Sequence, residues 1–170
     1  VQTGVGRTGG WFFAGGSAGA GVTPDIITLA KALGSGIPVG ACLVTDKIAS
    51  HIKENDLGTT FGGGMMAMAA VTATLEAIES DRMLENVRKV EAYLRERLED
   101  VKQVVTVRGL GFLLGLEFKE NAKAVHEALL DRRIITGTSS DPKVLRLLPP
   151  LCLAKSEVDL FVSTLTEVTR

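Results

Sequence analysis

Pro24-Asp25-Ile26-Ile27-Thr28-Leu29-Ala30-Lys31-Ala32-Leu33-Gly34-Ser35-Gly36 places an apolar run behind a proline and a lone lysine ahead of a glycine turn. A short apolar run with such punctuation suits a buried strand. Lys31 is the single charge between Asp25 and Asp46. In apolar surroundings an amine's charged form is disfavoured, which is how a nucleophilic lysine is made. The plainer reading is a surface lysine at a strand end, and spacing alone leaves both open.

Upstream, residues 1–24 are loop-like, punctuated by Gly4, Gly6, Gly9, Gly10, Gly15, Gly16, Gly19 and Gly21. Gly4-Val5-Gly6-Arg7-Thr8-Gly9 has the spacing of a dinucleotide fingerprint, but no helix would choose the glycines that follow it. A glycine-rich turn is expected. Downstream, Val39 to Thr45 reads as a second strand, and Asp46 is placed to cap a short helix through His51. Gly58-Thr59-Thr60-Phe61-Gly62-Gly63 offers two hydroxyls and free backbone N–H groups ahead of a helix. A phosphate would suit them, and so would a capped helix start. Met65 to Ile78 is apolar nearly all round and is expected to be a buried helix. Past Ser80-Asp81 the pattern changes: Leu84, Val87, Val90, Leu94 and Leu98 form one stripe of an amphipathic helix.

Beyond residue 104 the pattern turns to strands. Val104 to Arg108 and Phe112 to Phe118 flank Gly109 and Gly111 as a hairpin or kinked strand would. Residues 122–131 read as a helix, Ile134-Ile135 and Val144 to Leu148 as strands ended by Pro149-Pro150, and a last helix starts at Ser156 with Asp159 completing a capping box. Arg146 is a lone cation in an apolar strand and needs a partner; a substrate carboxylate held bidentate would serve, but from the residues alone a structural Asp or Glu is the expected one. Arg108 carries the same ambiguity, with a structural partner the expected one. A boundary falls near residues 80–85, ahead of an α+β module of about 85 residues.

The bulk properties agree with a folded globular chain. The chain has 170 residues, 45% of them apolar, and a net charge of −1 from 19 basic and 20 acidic side chains. That balance gives no reason to propose nucleic acid or an anionic membrane as partner. Cys42 and Cys152 sit in apolar sequence and are expected to be buried free thiols in a reducing, cytoplasmic setting. With two His and two Cys, a zinc site is not expected. No membrane helix or secretory leader is visible. Val1-Gln2 leads at once into the glycine turn, so the chain reads as cut from something longer.

Taken in order, these segments resemble class III aminotransferases of the acetylornithine and ornithine type. Val1-Gln2-Thr3-Gly4-Val5-Gly6-Arg7-Thr8-Gly9 resembles the tail of the family's Asp-Glu-Val-Gln motif. Pro24 to Gly34 resembles its cofactor-lysine segment, and Thr59-Thr60-Phe61-Gly62-Gly63 its phosphate turn. Val107 to Gly111 and Leu145 to Leu151 resemble signatures of its C-terminal domain. The likeness runs over nearly the whole chain, and the motifs together are highly specific.

The resemblance implies an α/β fold, that of fold type I pyridoxal-phosphate enzymes. Residues 1–82 would be the C-terminal part of the cofactor-binding large domain, and 83–170 the small C-terminal α+β domain. Lys31 would form the Schiff base with pyridoxal 5'-phosphate. Val1 would pack on the pyridine ring and Gln2 approach its phenolic oxygen. Thr60 would bind the phosphate from the neighbouring subunit of a homodimer, Thr59 would touch the substrate, and Arg146 would hold its α-carboxylate. The implied reaction is transamination between N-acetylornithine and 2-oxoglutarate in arginine metabolism. Ornithine, succinylornithine and 4-aminobutyrate enzymes share these motifs, and a non-catalytic binding module is the rival class.

Three departures stand against the family pattern. The Asp that protonates the ring nitrogen would lie two residues before Val1, with the stacking aromatic also upstream. Ala14 to Gly21 replaces an aromatic-rich run. Gly64-Met65-Met66 replaces the usual Asn-Pro-Leu. The chain by itself is therefore expected to be an incomplete enzyme.

Overall fold

The structure is a computed structural model that describes residues 1–15 and 21–170. Gly16 to Ala20, in the small-residue run noted above, lie outside the described residues. The chain divides into two compact units, residues 1–6 with 10–82, and residues 7–9 with 83–170.

The first unit opens with turns. Val5 N–H donates to the Trp11 carbonyl at 2.8 Å and Gly6 N–H to that of Gly10 at 3.2 Å. Among the described residues no helix follows the glycines, as expected of a turn and not of a dinucleotide site. Strands β1 (Ile26–Leu29) and β2 (Ala41–Val44) pair antiparallel, Ile26 opposite Val44 and Leu29 opposite Ala41. Between them runs a 3-10 turn, Lys31–Gly34. Helix α1 is Asp46–Ala49, with Thr45 at its N-cap and Asp46 inside the first turn, so the expected Asp46 cap is not made. Helix α2 spans Met65–Ser80.

Two expectations of burial fail here. β1 alternates exposed and half-buried residues, and α2 buries only Ile78. An apolar surface on every side of an element needs packing partners on every side, and the unit offers α2 chiefly the Lys31 turn. Met65 is 90% exposed and Met66 76%. Cys42 and Cys152 are free, as read, but exposed and not buried.

In the second unit, α3 (Met83–Leu98) leads into β3 (Val104–Leu110) and β4 (Leu113–Phe118). Then come α4 (Lys123–Asp131), β5 (Val144–Leu147) and α5 (Lys155–Val168). The antiparallel sheet runs β3-β4-β5. Alternation decides its faces. Leu114, Leu116 and Phe118 of β4 and Leu145 and Leu147 of β5 point into the core, against Val87, Val90, Leu94 and Leu98 of α3, Leu129 of α4, and Val158, Val162 and Leu165 of α5. Each such side chain stabilises by about 1.5–3 kcal/mol on full burial. The opposite face carries Gly115 and Glu117 of β4 and Arg146 of β5.

Gly111 turns the β3–β4 hairpin with φ 58°, where a methyl group would lie 2.5 Å from the Arg7 carbonyl oxygen. Two local readings need correction. Ile134-Ile135 is not a strand: pairing there is one bridge, Gly137 to Arg146, because Arg133 turns the chain with φ 64° just before. At the start of α5, Glu157 and not Asp159 reaches back, accepting from Ala154 N–H at 2.7 Å. Asp159 instead takes the Tyr93 hydroxyl at 2.7 Å and pairs with Arg97 at 3.1 Å.

Candidate active site

Lys31 leaves the end of β1 with φ 54°, in the left-handed region that a residue with a Cβ rarely adopts. The turn is held by Leu33 N–H on the Ala30 carbonyl and Ser35 N–H on that of Ala32, at 3.2 and 3.1 Å. Gly34 is pressed so closely on Val39 that an added Cβ would lie 2.8 Å from Val39 Cγ1. Helix α2 packs along this turn, with the Thr74 hydroxyl donating to Ser35 Oγ at 3.0 Å. The lysine side chain is exposed, so the apolar surroundings read from the sequence are not present among the described residues. Strain at a residue whose side chain is left free is the pattern found at functional positions.

Helix α2 begins at the Thr59–Gly64 turn. Its N-cap, Gly64, supplies no side-chain bond, so the simple reading of a capped start does not hold. Thr59 and Thr60 are exposed. Gly62 lies against Thr59 so tightly that an added Cβ would fall 2.0 Å from its Cγ2, and Gly63 is left-handed at φ 69°. The turn thus presents two hydroxyls and a backbone that only glycine can follow. Val1 and Gln2 are exposed too. Among the described residues no hydrogen bond or ion pair joins Lys31 to Thr59, Thr60, Val1 or Gln2.

The second unit answers the two arginine questions differently. Arg108 is ion-paired with Glu117 across β3 and β4, the structural partner expected for it. Arg146 sits between two ladders, opposite Gly115 on β4 and bridged to Gly137. Its backbone N–H and carbonyl exchange bonds with Gly137 at 2.8 and 2.9 Å. Its guanidinium, half-buried, has no ion pair or hydrogen bond among the described residues, so the structural Asp or Glu expected from the sequence is not found there. A half-buried cation without a partner is a place for an anion.

The segment just beyond Arg146 is pinned by residues that sequence reading passed over. Arg7, read only as part of a glycine motif, donates to the carbonyls of Pro149 and Phe112. Asn86 Nδ2 donates to those of Leu151 and Leu153 at 2.8 and 3.0 Å. Burial lowers the Arg7 pKa from its ordinary value. Pairings between residues so far apart in the chain leave no local pattern to find.

The sequence profile of the family described as Aminotransferase class-III matches residues 1–169. The chain belongs to the class-III aminotransferases. The acetylornithine aminotransferase of Oceanobacillus iheyensis is 40% identical over 172 residues, covering 99% of this chain and 42% of that protein. Among solved structures, the ornithine aminotransferase of Plasmodium yoelii matches with a TM-score of 0.85 at 34% identity, over 99% of this chain and 46% of that one. The acetylornithine aminotransferase of Elizabethkingia anophelis matches with a TM-score of 0.85 at 28% identity, over 99% of this chain and 45% of that one. The fold is therefore the mixed α/β fold type I of pyridoxal-phosphate transferases. The chain spans about two-fifths of the length of the curated relatives it matches.

Proposed function

We propose that the protein carrying this chain is a pyridoxal-phosphate aminotransferase. It moves the amino group of N-acetylornithine, or of a close ω-amino donor such as ornithine, to 2-oxoglutarate, in the cytoplasm and within arginine metabolism. The observation that carries this reading is the strained, exposed Lys31 at the end of β1. The residues fit the cofactor's chemistry: a free amine, two free hydroxyls in a glycine turn, and a free guanidinium for a carboxylate.

When bound, the cofactor would supply an electron sink for the broken C–H bond. Lys31 Nζ would hold it covalently and, once released, carry the proton to and from the substrate's amino-bearing carbon. Thr60 would donate its hydroxyl to the phosphate, from the partner protomer of a homodimer. Thr59 would touch the substrate. Val1 would cover the ring and Gln2 approach the ring oxygen. Arg146 would fix the α-carboxylate through a bidentate pair. Residues 1–82 would belong to the cofactor-binding domain, and 83–170 to the small domain.

The test is borohydride reduction of the full-length protein that carries this chain, after incubation with pyridoxal phosphate, followed by peptide mapping. The label is expected on the peptide containing Lys31 and absent from Lys31→Ala. Labelling spread over other lysines, or persisting in Lys31→Ala, would overturn the assignment. One observation favours a second reading, a non-catalytic module: the continuous core lies wholly between Val87 and Leu165. A full-length protein that stays unlabelled while folding through those residues would support it.

A further inference from the structure

Glycine inside a strand orders poorly and packs nothing. It marks a bulge, a sharp bend, or a place where something approaches the backbone closely. Gly115 lies in mid-β4, and Gly137 forms the single bridge beside β5. Neither has a positive φ. The β4–β5 register runs unbroken through Leu114–Leu147, Gly115–Arg146, Leu116–Leu145 and Glu117–Val144, so no bulge lies there. Nor does the second unit's own backbone crowd Gly115. A methyl group there would meet only Val144 Cγ1, at 2.9 Å. At Gly137 it would meet Arg146 Cβ at 3.4 Å.

What the two glycines share is Arg146, which each of them faces across a pairing. Directly opposed residues of an antiparallel pair put their side chains on the same face. The face that carries Arg146 is therefore bordered on both sides by positions without side chains. Gly115 and Gly137 stand about 9.5 Å apart, two strand spacings, with Arg146 between them, and Val144 Cγ1 reaches in beside the Gly115 position. One strand further, opposite Gly115, stands Arg108, whose charge is taken by Glu117. Across the sheet the row reads Arg108, Gly115, Arg146, Gly137, and of its two cations only Arg146 is uncommitted.

We infer that Gly115 and Gly137 are specificity-determining residues that keep open the space beside Arg146 into which a substrate carboxylate fits. This rests on the reading of Arg146 as the carboxylate anchor. A planar carboxylate meeting the guanidinium bidentate needs room in the guanidinium plane, and any side chain at either neighbour would take that room.

The test is titration of the 15N-labelled full chain with 2-oxoglutarate, following the amides of Gly115, Gly137 and Arg146 and the Arg146 Nε–H. Saturable shifts are expected in the native chain. Gly137→Ala should weaken the apparent Kd at least tenfold without lowering Tm, and Gly115→Ala should weaken it likewise with a fall in Tm from the Val144 Cγ1 contact. At Gly137 a merely structural role would move Tm together with Kd. Gly115→Ala combined with Val144→Ala relieves the one close contact, and binding should stay weak. If both alanine variants bind normally while Arg146→Gln does not, the glycine inference is overturned and the Arg146 reading stands. If Arg146→Gln binds as well as the native chain, or the native chain shows no shifts, both fall.

Discussion

The guanidinium of Arg7 donates a hydrogen bond to the backbone carbonyl of Pro149, 142 positions further along the chain. The same nitrogen reaches the Phe112 carbonyl at 3.4 Å, and Phe112 N–H donates back to the Arg7 carbonyl at 2.8 Å. One residue thus fixes both the β3–β4 hairpin and the loop that leaves β5 three residues past Arg146.

Arg7→Met should therefore destabilise the second unit. It removes charge-assisted bonds and leaves two carbonyls to find other partners, a loss of about 1.5–3 kcal/mol. The urea midpoint of the full chain measures it, with Arg7→Lys recovering only part, since an ammonium lacks the guanidinium's planar fork. A midpoint equal to that of the native chain would show that the bonds contribute nothing.

Thr60→Ala should weaken retention of pyridoxal phosphate more than it alters the covalent step at Lys31. Loss of one hydroxyl donor to a charged acceptor costs about 1.5–3 kcal/mol, roughly ten- to hundredfold in Kd. Equilibrium dialysis reads this directly. An unchanged Kd would remove Thr60 from the phosphate turn.

Stability should fall in strongly alkaline solution through Tyr93. Its hydrogen bond to the Asp159 carboxylate raises the phenol pKa from its ordinary value near 10. A raised folded value means that the unfolded chain loses this proton first. The contribution is full below about pH 10 and is lost as pH rises through the folded value. Absorbance at 295 nm gives the tyrosine titration, and Tyr93→Phe should flatten the decline in stability above pH 10. An identical decline in the variant would place its origin elsewhere.

Amide exchange should be slow across β4, β5 and α5 and fast across β1 and β2. The first set lies in or around a continuous core. The second is a two-stranded ladder of four-residue strands with largely exposed faces, an arrangement that is marginal alone in water. Equal protection in both sets would contradict this account of where stability resides.

Much of the architecture is legible in the sequence because its signals are local. The stripe of Val87, Val90, Leu94 and Leu98 specifies one buried helix face, since residues three and four apart must lie together on a helix. Gly109 and Gly111 mark the hairpin because left-handed backbone selects glycine. The motif around Lys31 names it as the candidate amine before any coordinate does. Where the sequence misleads, it is over burial. Apolar composition on α2 and β1 states what those elements would bury, not what lies against them.

Tertiary structure alone decides which of two similar arginines is spoken for. Arg108 and Arg146 both sit in apolar strands and read alike. Pairing of β3 with β4 brings Glu117 to the first, while β4 and Gly137 give the second two neighbours without side chains. An ion pair depends on which strands lie side by side and in what register, and that is set by the whole sheet packing on its core. Segment patterns can name the candidates for a site; only the register shows which charge is left free to bind.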